Sequence, residues 1–448
     1  VHVAYDSVQS LSVDQWYLGG VMRSLHRYAS DILVIVMVLH AARCFILDRY
    51  KPPRWIAWVS GIAAAWVILA GGIFGYWMVW DEKARVVATF SAKLIENVPI
   101  FGLPLSLNFA RVENLTNQLL YIVFFIHFST IFFLFILILI HLSRITKAVI
   151  NPPRTLVYAL LALMLILSVI KPAASALPAD IKALVGSVQM DWFYMFLFPL
   201  LKSMSPHKLW GFIVALTLIA AVIPWITAAK KKPPVRITLQ NCTGCELCME
   251  DCPYMAIQMR KRTDGMPYPL EAVVKPQRCT SCGICVGACD YKALDLPDIS
   301  EDAVKEEIRR LVAELKDAPA AKKVMVFACA KGAWVPRRDN ARGRVNGLEW
   351  ARVVNLPCVG MLQPSMISIP FDKGIDGVYV AGCRRADCDF RKGNEWFEDR
   401  LAGHRSPVVK RSIDRERVRL ASLSAAEKGE FLADLGEFQK GLEERGGA

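Results

Sequence analysis

The chain has 448 residues, 54% hydrophobic and 21% charged, with a formal net charge of +13 and 13 cysteines. Its length allows two to four domains, and nearly all long uncharged runs fall before residue 230, so a membrane half precedes a soluble half. The positive charge does not indicate nucleic acid, because basic residues cluster just behind alternate apolar runs: Arg43, Arg49, Lys51 and Arg54; Arg144, Lys147 and Arg154; Lys230, Lys231, Lys232 and Arg236.

Five runs are expected to cross a bilayer, whose core takes about 20 residues of helix. They are 29–47, which contains Asp31 and Arg43, then 55–80, 119–142, 155–170 and 209–229. None resembles a cleavable signal, which would be shorter and N-terminal. The positive-inside rule places the basic clusters, and with them the soluble half, in the cytoplasm of a prokaryotic inner membrane. The bias is imperfect, since the loop 81–113 carries Lys83, Arg85, Lys93 and Arg111. The chain begins with Val1, so further N-terminal sequence, with another span, is expected. A cytoplasmic location argues against disulfides. Eight cysteines lie in two compact runs and four near the C-terminus; Cys44 stands alone, as a small apolar side chain.

His26 and His40 are 14 residues apart, as are His127 and His141. That spacing is about 21 Å along a helix and returns almost to the same face. Each span thus presents two imidazoles at two depths, and two such spans can supply both axial ligands to two stacked hemes. The spans run parallel, so His26 pairs with His127 near the outer face and His40 with His141 near the cytoplasm. A lone membrane histidine would be read as a hydrogen-bonded core residue or proton relay; two equally spaced pairs point to heme.

Arg23-Ser24-Leu25-His26-Arg27 and His40-Ala41-Ala42-Arg43 resemble the ligand motifs of the cytochrome b family of bc-type complexes. The resemblance implies two b hemes, with Arg23 and Arg43 on their propionates, a bidentate task suited to guanidinium. Gly61 and Gly75, also 14 apart, would let the macrocycles pack against the backbone. Gly75 to Asp81 resembles the family's Gly-Tyr-x-Leu-Pro-Trp segment, with Val79 in place of the proline. Met190-Asp191-Trp192-Phe193 stands where the family carries Pro-Glu-Trp-Tyr beside its outer quinol site, with the proline lost and the acid shortened. Asp191 would exchange a proton with quinol; an interfacial loop with an aromatic anchor fits these residues equally. Asp31, inside a span, is a second candidate for a proton path; a side chain reaching the outer interface fits it equally. The resemblance also implies a homodimer through the membrane domain.

Cys242, Cys245, Cys248 and Cys252, then Cys279, Cys282, Cys285 and Cys289, repeat Cys-x2-Cys-x2-Cys-x3-Cys. This resembles the bacterial two-cluster ferredoxin, in which each last cysteine ligates the other [4Fe-4S] cluster. One cluster would take Cys242, Cys245, Cys248 and Cys289, and the other Cys279, Cys282, Cys285 and Cys252. Cys252 is followed by Pro253, as the pattern expects, but Cys289 by Asp290. Structural zinc is the alternative, although it prefers separated cysteine pairs.

Residues 303–316 read as a charged connecting helix. The apolar strands 324–329 and 378–383 each end in a cysteine, Cys329 and Cys383, and Cys358 and Cys388 complete a set of four in a small α/β domain. The stretch from Asp376 through Gly382-Cys383-Arg384-Arg385-Ala386-Asp387-Cys388 to Gly393-Asn394 resembles the delta subunit of methyl-viologen-reducing hydrogenases. That family implies one [2Fe-2S] cluster and docking onto flavin-containing heterodisulfide reductase subunits. Gly332 stands where the family often has a further cysteine, and Arg384 and Asp389 replace typical histidines. Four unrelated buried thiols or a redox pair are the alternatives.

The expected fold is therefore multi-domain: an all-α transmembrane bundle of the cytochrome b type over 1–229, an α+β ferredoxin over 230–300, a connecting helix over 301–321 and a small α/β iron–sulfur domain over 322–448. The expected function is electron relay between a cytoplasmic flavoprotein, dehydrogenase or hydrogenase subunit and quinone. A non-catalytic anchor and transfer in the reverse direction compete with it. Formate, hydrogen or a thiol–disulfide couple could each stand upstream.

Overall fold

The computed structural model describes residues 2–51, 54–98, 116–143, 151–183, 187–227, 232–318, 322–332, 343–345, 348–385, 388–424 and 427–446. Arg111, Arg144, Lys147, Lys230, Lys231, Ala386 and Asp387, used above, lie outside these residues. The chain divides into two compact units, Val1–Ala228 and Ala229–Ala448.

The first unit is helical. α1 (His2–Val13) leads through one π-helical turn, Trp16–Gly20, into α2 (Val21–Ile46). α3 (Trp55–Val79), α4 (Glu82–Ile95), α5 (Asn117–Leu142), α6 (Arg154–Ile170), the short α7 (Leu200–Ser203) and α8 (Pro206–Ile226) follow. Four helices among the described residues are long and apolar enough to cross a membrane: Trp16–Ile46, Trp55–Val79, Gln118–Leu142 and Pro206–Ile226. The chain is a multi-pass membrane protein. The fifth expected span, α6, has 17 residues, the lower limit for crossing. α5 is apolar on every face, and Phe125, Phe132, Phe133 and Phe135 stand exposed on it, as a lipid-facing helix requires.

Asp81 ends the α3–α4 corner. Its carboxylate accepts from the Ala84 amide at 2.8 Å, capping α4, and from the Ala176 amide at 2.9 Å. At one end of the unit, Trp55 and Trp225 pack at a tilt with centroids 5.0 Å apart, and Trp58 Nε1 donates to the Ala220 carbonyl at 2.8 Å. At the other end, the Ala173 amide donates to Ser24 Oγ at 2.9 Å and the Tyr28 hydroxyl to the Lys171 carbonyl. α6 therefore finishes at the His26 end of α2, and α8 finishes beside the start of α3.

The second unit begins with two small antiparallel sheets. β1 (Arg236–Ile237) pairs with β4 (Leu294–Asp295), and β2 (Ile257–Lys261) pairs with β3 (Leu270–Val274). Two single-turn helices, α9 (Leu247–Asp251) and α10 (Ile284–Gly287), lie within the cysteine runs. α11 (Glu301–Lys316) is capped by Ser300, whose Oγ accepts from the Ala303 amide at 3.1 Å. α11 is more than a connector, because Val304, Ile308, Leu311, Val312 and Leu315 are buried in the core.

The remaining residues form, as far as they are described, a five-stranded sheet in the order β6 (Arg344–Val345), β7 (Leu348–Leu356), β5 (Val324–Cys329), β8 (Gly377–Cys383), β9 (Val418–Leu423). β7, β5, β8 and β9 are parallel and β6 is an antiparallel edge. α12 (Pro364–Asp372) contributes Met366 and Ile367 to one core, shared with α11 and the cysteine runs. α14 (Lys428–Gly446) covers the other face through Phe431, Leu435, Phe438 and Leu442. α13 (Gly393–Ala402) lies between β8 and β9 in sequence.

Candidate metal centres

In the membrane unit, α2 and α5 bring the four spaced histidines into two facing pairs. The ring centroids of His26 and His127 are 6.1 Å apart, and those of His40 and His141 are 6.2 Å apart. A metal held by two imidazoles through bonds of about 2 Å places the ring centres about 6 Å apart. The residues present therefore fit an iron between each pair.

Hydrogen bonds set the tautomers on α5. His127 Nδ1 donates to the Gly71 carbonyl at 2.8 Å. Ser60 Oγ donates to the Ile56 carbonyl at 2.7 Å, so it can accept from His141 Nδ1, 3.2 Å away. Both Nε2 atoms are thereby left with a lone pair for a metal, the arrangement that outer hydrogen bonds impose on ligating histidines. Neither Gly71 nor Ser60 was singled out by the sequence; a carbonyl acceptor carries no side-chain signal. Gly75 and Gly61 face the imidazoles of α5: a Cβ there would lie 3.2 Å from His127 Cε1 and 3.4 Å from His141 Cε1. The missing side chains let α3 approach α5 beside the ring pairs.

Arg23 donates to Ser12 Oγ at 2.6 Å and to Ser175 Oγ at 2.9 Å. Arg43 lies on the last turn of α2. Cys44 Sγ is 3.7 Å from His40 Nε2.

Asp191 stands in a dense set of donors. The Phe193 and Tyr194 amides reach Oδ1 at 2.9 Å each, while the Tyr76 hydroxyl at 2.8 Å and Arg27 Nη2 at 2.9 Å reach Oδ2. Burial favours the neutral acid, but the Tyr194 amide, the Tyr76 hydroxyl, the Phe193 amide and Arg27 together hold the carboxyl below its ordinary value. Arg27 also pairs with Asp31 at 3.3 Å. Arg27 and Tyr76 were quoted in the sequence motifs without a role; only the fold brings them to the carboxylate.

In the second unit the two cysteine runs build two cavities. Cys242, Cys245 and Cys248 share one with Cys289. Cys279, Cys282 and Cys285 share the other with Cys252. Among the described residues no three His, Cys, Asp or Glu side chains converge on a point that suits a single ion; these thiols border a volume, which suits a multi-atom cluster. The runs repeat their backbone as well as their cysteines. Gly244 and Ser281, then Glu246 and Gly283, then Met255 and Lys292, all take positive φ, each pair 37 residues apart. In both runs the amide four residues past the last cysteine points at its sulfur: Ala256 N to Cys252 Sγ at 3.2 Å and Ala293 N to Cys289 Sγ at 3.4 Å. Such bonds stabilise thiolate ligands and tune a cluster's potential. Burial pushes the Cys248 and Cys282 thiols up to about 12, so they stay protonated until a metal displaces the proton.

The four late cysteines meet at the carboxyl ends of adjacent parallel strands. β5 lies between β7 and β8, so the chain changes direction across it, the position where parallel sheets open a crevice. Cys329 ends β5, Cys383 ends β8, and Cys358 follows β7. Cys329 Sγ is 3.3 Å from Cys383 Sγ, and Cys388 lies within hydrogen-bond reach of both Cys383 and Cys358. A Cβ on Gly332 would overlap Cys383 Sγ, and one on Gly393 would overlap Cys358 Sγ. The four contiguous sulfurs fit a small cluster.

Family models match three separate stretches: cytochrome b/b6/petB over residues 1–149, a 4Fe-4S dicluster domain over 241–293, and methyl-viologen-reducing hydrogenase, delta subunit, over 324–446. The chain is a membrane cytochrome b fused to iron–sulfur domains. Heme b and paired [4Fe-4S] clusters are the cofactors of the first two. The cytochrome b part is 30% identical over 103 residues to cytochrome b6 of Mastigocladus laminosus, covering 23% of this chain and 47% of that protein. It is 31% identical over 99 residues to cytochrome b6 of Synechococcus elongatus, covering 22% and 46%. The chain thus spans just under half the length of these curated relatives. A solved structure titled "Hyperthermophilic respiratory Complex III" aligns with 20% identity and a TM-score of 0.35, over 46% of this chain and 63% of that one.

Proposed function

We propose that this chain is the membrane electron-transfer subunit of a quinone-linked oxidoreductase. Electrons pass between a cytoplasmic flavin or iron–sulfur partner, a [2Fe-2S] centre on Cys329, Cys358, Cys383 and Cys388, the two [4Fe-4S] clusters, the two b hemes and the quinone pool. The heterodisulfide-reductase-like class of partner follows from the hydrogenase delta-type domain. The observation that carries the proposal is the pair of facing imidazoles at two depths, 6.1 and 6.2 Å between ring centres. A bare anchor has no use for two such gaps. The hemes would supply one-electron carriers across the bilayer; the protein orients them through His26, His40, His127 and His141 and the bonds from Gly71 and Ser60. Within the membrane unit, α8 finishes beside Trp55 at the start of α3.

Asp191 is the carboxylate we assign to quinone protonation. It is anionic in the neutral range, which is the proton-accepting form, and Arg27 and Tyr76 orient it. The test is a reduced-minus-oxidised spectrum of the purified full chain, expected to give b-type bands from two hemes. His127→Ala and His141→Ala should each remove one. Absence of b-type bands from the wild-type protein overturns the reading.

A further inference from the structure

The two [4Fe-4S] cavities are not equivalent toward the C-terminal cysteines. Cys282 and Ile284, from the second cysteine run, pack in one buried cluster with Cys358 and Trp396, and Phe390 lies against it. Gly393, which faces Cys358 Sγ, is also 3.4 Å from Ile284 Cδ1 when built with a Cβ. Cys245, from the other cavity, is solvent-exposed. The contact at Cys282 is held by a buried polar joint. Asp251, directly before Cys252 and 1% exposed, pairs with Arg400, also 1% exposed, and with Arg405 at 2.7 Å. Trp396 Nε1 donates to the Asp251 carbonyl at 3.2 Å, and the Arg405 guanidinium stacks 3.8 Å from the centroid of the same indole. Arg400 Nη1 reaches the Gly360 carbonyl at 3.1 Å. Gln363 Nε2 donates to the carbonyls of Val286 and Cys289 at 3.0 and 2.9 Å and to Glu301 at 2.8 Å. The loop that carries Cys252 is thus tied to the domain that carries Cys358, and Gln363 holds the backbone from Val286 to Cys289, which reaches a ligand of the other cavity; the side-chain contact with Cys358 itself is made by Cys282 and Ile284.

From this we infer that the four-cysteine centre exchanges electrons with one cluster only, the one on Cys252, Cys279, Cys282 and Cys285, and that Asp251, Arg400 and Arg405 are positioning residues for that transfer. The cluster on Cys242, Cys245, Cys248 and Cys289 is the next station, not a parallel branch. One electron leaves the reduced four-cysteine centre and one arrives on the adjacent cluster, with no bond made and no proton moved. A burial this complete leaves little rotational freedom at the joint, since separating Asp251 from its arginines would strand an unpaired charge in the interior.

The inference rests on the four late cysteines holding a paramagnetic iron–sulfur centre, and the experiment separates the two claims. The full chain is reduced stepwise with dithionite and followed by electron paramagnetic resonance, alongside its iron content. In the wild type the [2Fe-2S] signal is expected to appear first, on one-electron reduction, and then split as one [4Fe-4S] cluster is reduced. The splitting should persist in Cys245→Ser and vanish in Cys279→Ser, leaving an isolated [2Fe-2S] signal. Arg405→Gln should retain wild-type iron content and weaken the splitting at least twofold. Loss of the splitting in Cys245→Ser overturns the inference, even if the Cys279→Ser protein does not fold. Undiminished splitting in Arg405→Gln removes that residue from the positioning role. Absence of any [2Fe-2S] signal from the wild type defeats the underlying assignment instead.

Discussion

At the residue scale, the proposed ligands on α5 depend on neighbours that include some without a motif, Gly71 and Ser60. His127 needs the Gly71 carbonyl for its tautomer, and it needs Gly75 to be bare. Gly75→Val should displace the imidazole and lower the content of one heme per chain to well under half, read from the pyridine hemochrome ratio, while Gly61→Val should do the same to the other heme. Asp191 offers a test by pH. Burial raises its pKa and the donors lower it, with the donors prevailing. Quinone-linked turnover should therefore lose no rate through Asp191 protonation until the pH falls below the ordinary carboxylate range, about 4. Arg27→Gln removes one opposing donor, so the acid limb should move to higher pH; an unmoved limb would detach Asp191 from the proton step. Asp191→Asn keeps the two amide donors satisfied through its carbonyl and should slow quinone-linked heme turnover at least about tenfold at unchanged heme content, a conservative expectation for losing a proton-transfer group.

At the scale of elements, the two cysteine runs are one backbone used twice, and the repeat is uneven in sequence. Gly283 at φ 81° has its counterpart in Glu246 at φ 66°. A side chain in that region costs about 1–2 kcal/mol. Glu246→Gly should stabilise the domain by up to about 1 kcal/mol after the added freedom of glycine in the unfolded chain, read as a higher midpoint of cluster loss in denaturant. Gly283→Ala should lower it, since a Cβ there would also meet Met361 Sδ at 2.8 Å. Equal midpoints for the two variants would show that the loop relaxes freely. The long spans, the helical histidine spacing and the strands ending at Cys329 and Cys383 were legible from periodicity and apolar runs, because each is a local property. α11 was not fully so. Its charge marks it as a connector, yet its apolar stripe at Val304, Ile308, Leu311 and Leu315 finds a core to fill.

At the scale of the whole molecule, the chain divides into two compact units, Val1–Ala228 and Ala229–Ala448. Cleavage introduced between Ile226 and Arg236 should release a soluble fragment that keeps its cluster signals and leave a membrane fraction that keeps its b-type spectrum. Loss of either spectrum on cleavage would mean that one unit needs the other to fold. Within the second unit, the expected ferredoxin, connecting helix and α/β segment share one core running from Val235 to Val418. The sequence by itself determined which residues could bind metal and which segments could cross a membrane, because ligand chemistry and apolar length are written in short spacings. The pairing of His26 with His127 and of His40 with His141 was readable from spacing and span direction, but tertiary structure alone decided which carbonyl fixes a tautomer, what brings Arg27 and Tyr76 to Asp191, and which cysteine run packs against Cys358. The His127–Gly71 and Arg27–Asp191 contacts join residues 56 and 164 positions apart, and only packing, which must bury apolar faces and satisfy every enclosed donor and acceptor at once, brings such partners together.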